Sequence, residues 1–103
     1  MIDIQEQVGR ICQQAKGGKT VYVVCPTRSR NALTLALLSN LRGSDCANGK
    51  TYNIGKGTVC MARPTDTLPA DNYTVSLVAF AEAEGDEFRA MINWRDKAAS
   101  VLK

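Results

Sequence analysis

The chain has 103 residues, 45% of them hydrophobic and 22% charged, which is the composition of one globular domain and excludes a disordered chain. Thirteen basic and ten acidic residues leave a net charge of +3, too small a surplus to establish nucleic-acid binding without local clustering. No stretch reaches the roughly 18 apolar residues of a membrane span, and acidic residues stand where a signal peptide needs basic ones. We therefore expect a single domain over residues 1–103, in the cytoplasm and without membrane contact.

The first part of the chain predicts a helix, a buried strand and a second helix. Apolar residues recur at helical spacing over residues 4–16, and Asp3 with Glu6 forms a capping-box pattern at the start. Residues 20–25 are β-branched and apolar on both faces, which is typical of a central parallel strand. The segment 29–42 is apolar around most of its circumference, so this helix should pack against more than one neighbour.

The second part predicts two short strands over residues 51–62, turning at Gly55-Lys56-Gly57. A second long strand follows over 73–81, and apolar spacing predicts a last helix over 86–102. The order α-β-α-ββ-β-α predicts an α/β fold, a small three-layer α/β/α sandwich with a mostly parallel central sheet. The sequence leaves open whether the short hairpin joins that sheet.

The strongest candidate site is the segment after the first strand, which contains Thr27, Arg28, Ser29 and Arg30. In folds with parallel sheets, ligands bind beyond the carboxyl ends of the strands. Residues 82–84, after the last predicted strand, should lie at the same end. Two guanidinium groups, two hydroxyls and free N–H groups at a helix start suit a phosphate. A capped helix start with solvated arginines explains the same residues without any ligand.

Other chemical motifs fail on their surroundings. Residues 17–20 (Gly-Gly-Lys-Thr) resemble the tail of a P-loop, but Gln13 occupies the position of the first glycine and a helix precedes the strand. A turn between helix and strand explains the segment better. The chain has no histidine, which excludes the Ser/His and Cys/His pairs of nucleophilic catalysis.

A metal site has weak support. Four acidic residues cluster before and within the start of the last helix, namely Glu82, Glu84, Asp86 and Glu87. They have the ligand chemistry for a divalent ion, although acidic residues are favoured at any helix N-terminus. The cysteines, Cys12, Cys25, Cys46 and Cys60, include no CxxC pair. We expect reduced, mostly buried thiols and no cofactor.

Three segments together resemble the core of RecA-like helicases and phage large-terminase ATPases. Residues 21–32, with Pro26-Thr27-Arg28, are similar to the strand and motif Ia of those enzymes. Residues 53–59 resemble the hairpin-like stretch that follows, and residues 75–83 resemble the Walker B strand. The resemblance spans roughly residues 4–92 and implies a RecA-like fold.

The departures from that family concern the catalytic residues. Walker A is absent, Ala81 replaces the aspartate that binds Mg²⁺, and Glu82 alone remains. Without the P-loop lysine and that aspartate, the resemblance implies a degenerate core without ATPase activity. Because motif Ia contacts the nucleic-acid backbone in this family, it implies such contacts for Thr27, Arg28 and Arg30.

We therefore expect a non-catalytic accessory domain, of phage or mobile-element origin, that binds nucleic-acid phosphates. Arg28 and Arg30 would make the contacts, with Lys56 or Arg63 as further candidates. Such binding would depend strongly on salt and weakly on sequence.

The alternative is a protein-interaction domain, either a homodimer or an inhibitor that imitates part of an ATPase. It predicts an exposed apolar patch that involves Leu35, Leu38 or Trp94. A small enzyme that uses the acidic cluster with a divalent ion is a third hypothesis, which loss of all activity on substitution of Glu82 would support.

Overall fold

The computed structural model describes residues 4–102, so Asp3 of the predicted capping box lies outside the described residues. The helices of this part of the chain are α1 (Ile4–Lys16), α2 (Arg30–Ser39) and α3 (Gly85–Lys97). Its strands are β1 (Thr20–Val24), β2 (Cys46–Asn48), β3 (Thr51–Ile54), β4 (Gly57–Ala62), β5 (Thr74–Leu77) and β6 (Ser100–Val101). None of these helices is long and apolar enough to cross a bilayer.

The described strands form one mixed sheet in the order β2-β3-β4-β1-β5-β6. Parallel pairing joins β1 to β4 and β5, and β5 to β6. The prediction of a mostly parallel sheet is wrong, because β2, β3 and β4 pair antiparallel. Two-residue turns that begin at Gly49 (φ 65°) and Gly55 (φ 59°) connect them, and so short a turn can join only antiparallel neighbours. The 51–62 hairpin joins the main sheet through β4.

Three strands and two helix ends differ from the prediction. Strand β5 ends at Leu77 and not at residue 81, because the chain leaves the extended conformation at Ala79 (φ 54°) and enters a 3₁₀ turn. The last helix ends at Lys97 and not at residue 102, because Ala99 and Leu102 donate backbone hydrogen bonds to carbonyls of Tyr73 and Val75. This pairing creates β6, and β2 arises likewise in a predicted loop. Helix α2 ends at Ser39, three residues early, where polar side chains bind its last carbonyls.

The core lies on both faces of the sheet, because successive residues of β1 point to opposite sides. Val21 and Val23 pack with α1 and α2 in one apolar cluster, whereas Tyr22 and Val24 pack with α3 in the other. Helices therefore cover both faces, as the α/β prediction requires. Burial of Val21, Val23 and Val24 confirms that β1 is a central strand.

Trp94 belongs to this core, so it is not part of the exposed apolar patch for which the protein-interaction hypothesis offered Leu35, Leu38 or Trp94. Only 1% of the residue is exposed. Its indole N–H donates to the carbonyl of Pro64 at 3.1 Å, and its own carbonyl accepts the hydroxyl of Tyr73 at 2.7 Å. The rings of Tyr22 and Tyr73 pack against it. Trp94 thereby ties α3 to the loop after β4.

The outer side of α2 is the exception to close packing. Leu35 is 66% exposed and Leu38 is 45% exposed, whereas Leu33, Ala36 and Leu37 are buried. The expectation that this helix packs against more than one neighbour is confirmed, because its buried residues contact both α1 and the sheet, but its outer side is uncovered. Leu35 and Leu38 are free to contact another molecule, as the protein-interaction hypothesis predicts.

Candidate functional site

The candidate site lies at the carboxyl end of the sheet, where the parallel strands β1, β4 and β5 finish. After β1 the chain enters a 3₁₀ turn, Thr27–Ser29, which leads directly into α2. After β5 it enters a second turn, Phe80–Glu82, and then α3. Val78 N donates to Val24 O at 2.9 Å, which holds the two loops side by side. The structure thus brings together both segments that the sequence predicts at this end.

Carboxylates already accept hydrogen bonds from three of the donors that the sequence analysis assigned to a phosphate. Both the N–H and the hydroxyl of Thr27 donate to one oxygen of Glu87, at 3.0 Å and 2.6 Å. The hydroxyl of Ser29, a buried residue, donates to Glu82 at 3.1 Å. The loop after β1 is therefore bound to the loop after β5 and to the first turn of α3.

The pair of bonds to Glu87 is the strongest polar contact of the site. The hydroxyl of Thr27, followed by its backbone N–H, holds the pKa of the Glu87 carboxyl below its usual range, and the charge of Arg28 adds a smaller effect. Bonds to an ionised acceptor are shorter and stronger than neutral ones, as the 2.6 Å distance shows. The sequence indicated Glu87 only as an acidic residue at a helix start.

The two arginines differ in their surroundings. The side chain of Arg28 is 64% exposed and lies 3.9 Å from Glu84, which is 81% exposed, so this ion pair contributes little stability. Arg30 instead places its Nη1 atom out of contact with solvent, without a hydrogen-bond partner in the described part of the chain. Arg30 thus offers a buried donor, and Arg28 an exposed positive charge.

The thiol of Cys25 lies at the base of this site. Burial raises the pKa of the Cys25 thiol to about 11, although the positive charge of Arg30 acts in the opposite direction. Because the thiolate is the reactive form, Cys25 is inert near neutral pH. All four cysteines are free, and Cys12 is also buried, whereas Cys46 is exposed and Cys60 is half-buried. The expectation of buried thiols is therefore confirmed for Cys12 and Cys25, holds only in part for Cys60 and is wrong for Cys46.

The acidic cluster does not converge on one point. Its four members contact four different residues: Glu82 contacts Ser29, Glu84 contacts Arg28, Asp86 contacts Arg89 and Glu87 contacts Thr27. Among residues 4–102, no group of three or more Cys, Asp and Glu side chains is placed to hold a metal ion. The cluster therefore serves to neutralise basic residues and to fix the loops.

The other two residues predicted to contact a phosphate, Arg63 and Lys56, lie at opposite ends of the sheet. Arg63 follows β4 at the carboxyl end, where Asp66 accepts its N–H and lies 3.8 Å from Lys50. Lys56 lies in the β3–β4 turn at the opposite end, away from Arg28. Acidic and basic residues are nearly balanced at the carboxyl end, so this surface lacks the positive charge of a typical phosphate site.

An aromatic pair completes the site, and sequence reasoning missed it. The rings of Phe80 and Phe88 stack with centroids 5.1 Å apart and an angle of 14° between their planes. Phe88 is 41% exposed. The sequence assigned these residues to the faces of a strand and a helix. Their stacking depends on the turn after β5, which begins at Ala79 in the left-handed conformation (φ 54°).

Comparison with known proteins does not assign this chain to a family. No protein-family model, no curated protein and no solved structure matches this chain. The RecA-like resemblance therefore remains a prediction, and the functional argument rests on the surfaces themselves.

Proposed function

We propose that this chain is a non-catalytic binding domain that contacts another protein through the carboxyl end of its sheet. The observation that carries the proposal is the exposed ring of Phe88, stacked on Phe80 in the same loop assembly as Arg28. Aromatic and arginine side chains dominate the binding energy of protein interfaces. Stacking fixes the ring of Phe88 before binding, which reduces the entropy lost on association.

The charges at this surface favour a protein over a nucleic acid. A phosphate near Thr27 would compete with the Glu87 carboxylate for the same two donors. It would also lie close to Glu82 and Glu84, and like charges repel. A protein surface with mixed charges can match such a pattern, because basic side chains can meet the glutamates and acidic ones can meet Arg28.

Nucleic-acid phosphate is the second candidate ligand for this end of the sheet. Arg30 favours it, because its buried Nη1 atom has no acceptor within residues 4–102. An anion that reached this atom would gain a charge-assisted hydrogen bond. The distinction between the two candidates is testable, since only the protein interaction depends on the ring of Phe88.

The lack of catalysis is part of the proposal. The chain has no histidine, and the Cys25 thiol is protonated at neutral pH. The acidic side chains each contact a separate polar or basic residue and do not form a pair about one space. Nothing in this arrangement supplies a nucleophile with an adjacent base.

The test is affinity capture from a lysate of the source organism with tagged wild-type protein and two variants. Phe88→Ala with Arg28→Ala removes the proposed contact, and Leu35→Ala alters an exposed residue of α2 as a control. We expect specific partners that the double variant loses and the control keeps. Equal recovery by all three would contradict the proposed surface, and loss only with Leu35→Ala would move the interface to α2.

A further inference from the structure

We infer that the amino end of the sheet carries a separate surface that binds the phosphate backbone of a nucleic acid through Lys16, Lys19 and Lys56. We call these three residues the lysine patch. The patch lies at the opposite end of the sheet from the proposed protein contact and does not depend on it. Lys56 is the one member that the sequence analysis named for a phosphate, but together with Arg28 and not with these lysines.

Close backbone contacts bring the three lysines to one place. The turn that contains Lys56 lies directly against the end of α1, because a Cβ atom on Gly55 would be 2.9 Å from the Cα of Lys16. A Cβ atom on Gly57 would overlap the carbonyl oxygen of Lys19. Thr58 N also donates to that oxygen at 3.0 Å. Glycine at both positions is therefore what permits the approach.

The lysine patch is exposed and poorly neutralised. All three lysines are exposed, and none of them forms an ion pair within residues 4–102. Asp45 lies beside the turn that contains Lys56, and its carboxylate accepts the N–H groups of Gly55 and Arg42, both at 2.9 Å. Those bonds lower the pKa of the Asp45 carboxyl, and the charge of Lys16 contributes further.

Other charged residues also belong to this end of the sheet. Arg42 lies beside Asp45 and adds a fourth positive charge. Asp71 precedes β5 and lines a shallow depression with Thr20, so it partly offsets Lys19. Helix α3 also ends here with Arg95, Asp96 and Lys97, and Lys97 lines a depression together with Asp71. Six basic residues therefore stand against three acidic ones at this end of the sheet.

The negative end of the helix dipole at the end of α1 repels an anion less strongly than a free helix C-terminus would. Its last carbonyls, those of Gln14 and Ala15, accept the N–H groups of Gly17 and Gly18 at 3.2 Å and 2.9 Å. The negative end of the helix dipole is thus partly compensated, and Lys16 adds a positive charge there. No side chain at residues 17 and 18 covers the turn.

The shape of the patch indicates a polymer and not a small anion. The lysines come from two turns and a helix end, and none of them is buried. Lysine acts as a mobile point charge, so three separated lysines bind best to an anion that presents regularly spaced charges. A nucleic-acid backbone does so, and its binding releases counterions.

The expected binding is weak, non-specific and dependent on salt. For three phosphate contacts, the slope of log K against log salt should be about −2 for single strands and about −3 for duplex DNA. Each Lys→Gln substitution in the patch should reduce that slope by about one.

The experiment measures fluorescence anisotropy of short labelled single- and double-stranded DNA over a salt series. It compares the wild type with Lys16→Gln/Lys19→Gln/Lys56→Gln. A matched control, Arg28→Gln/Lys50→Gln/Arg63→Gln, removes three charges at the carboxyl end, so both variants have a net charge of zero. Circular dichroism verifies that each variant is folded.

We expect the lysine variant to bind about tenfold more weakly than the wild type at low salt, with a slope near zero, and the control to retain most of the slope. No binding by the wild type at low salt would overturn the inference. Equal loss in both variants, or loss in the control alone, would overturn the assignment to the lysine patch. Equal binding of poly-glutamate would overturn the assignment to nucleic acid.

Discussion

Replacing Trp94 with Phe should destabilise the domain strongly, because two interactions are lost at one buried position. The Pro64 carbonyl loses its indole donor, and leaving a buried acceptor unpaired costs about 1–3 kcal/mol. The smaller ring also removes packing against Tyr22 and Tyr73, which adds about 1–2 kcal/mol at roughly 0.8 kcal/mol per buried methylene. The total of about 2–5 kcal/mol is a large part of the roughly 5–15 kcal/mol that stabilises a typical domain.

Urea unfolding followed by far-ultraviolet circular dichroism measures this loss. Fluorescence is unsuitable because Trp94 is the sole tryptophan. The unfolding midpoint should fall without a change in slope, and the melting temperature should drop by about 10 °C or more. Leu35→Ala, at an exposed position, should change stability by no more than about 0.5 kcal/mol. A loss below about 1 kcal/mol for Trp94→Phe would refute the contribution derived from its contacts.

Four further substitutions test other parts of the fold. Gly57→Ala should lower the free energy of unfolding in urea by about 1–3 kcal/mol or more, because the new Cβ would overlap the Lys19 carbonyl. Gly9→Ala lies in open space on α1, so it should raise that free energy by about 0.5–1 kcal/mol. Arg30→Met removes a buried unpaired donor, so the free energy of unfolding should stay constant or rise by up to about 1 kcal/mol. A decrease in the free energy of unfolding would contradict this and would indicate that Arg30 has a hydrogen-bond partner. The pKa of the Glu87 carboxyl is lowered in the folded protein, so its contribution to stability is present above the usual glutamate range and is lost as pH falls through the folded-state pKa. Glu87→Gln removes this titrating group, and stability should therefore depend less on pH on the acid side. An unchanged acid side would contradict that role.

Local signals in the sequence were sufficient for about half of the fold. The α1 helix and the β3–β4 hairpin follow from apolar spacing and a glycine turn, and the structure has both within a residue or two. The segment 86–102 shows the limit of such signals. Its last residues fit a helical pattern, but hydrogen bonds to the carbonyls of Tyr73 and Val75 make them a strand. Pairing with β5 overrides the local pattern there.

The candidate site was predicted in position but not in its contacts. The parallel pairing of β1 with β5 places residues 26–30 beside residues 82–84, as the sequence analysis expected. The bonds from Thr27 to Glu87 and the stacking of Phe80 on Phe88 involve residues 60 and 8 positions apart. No spacing rule connects such pairs, because they depend on how the two loops approach each other.

The central claim is that a protein binds at the loops of the carboxyl end. Amide hydrogen exchange of the domain, alone and in complex with a partner recovered by capture, tests it most directly. We expect slower exchange in residues 26–30 and 79–88, with little change in α2 around Leu35. Protection confined to α2, or to the turns that carry the lysine patch, would contradict the claim.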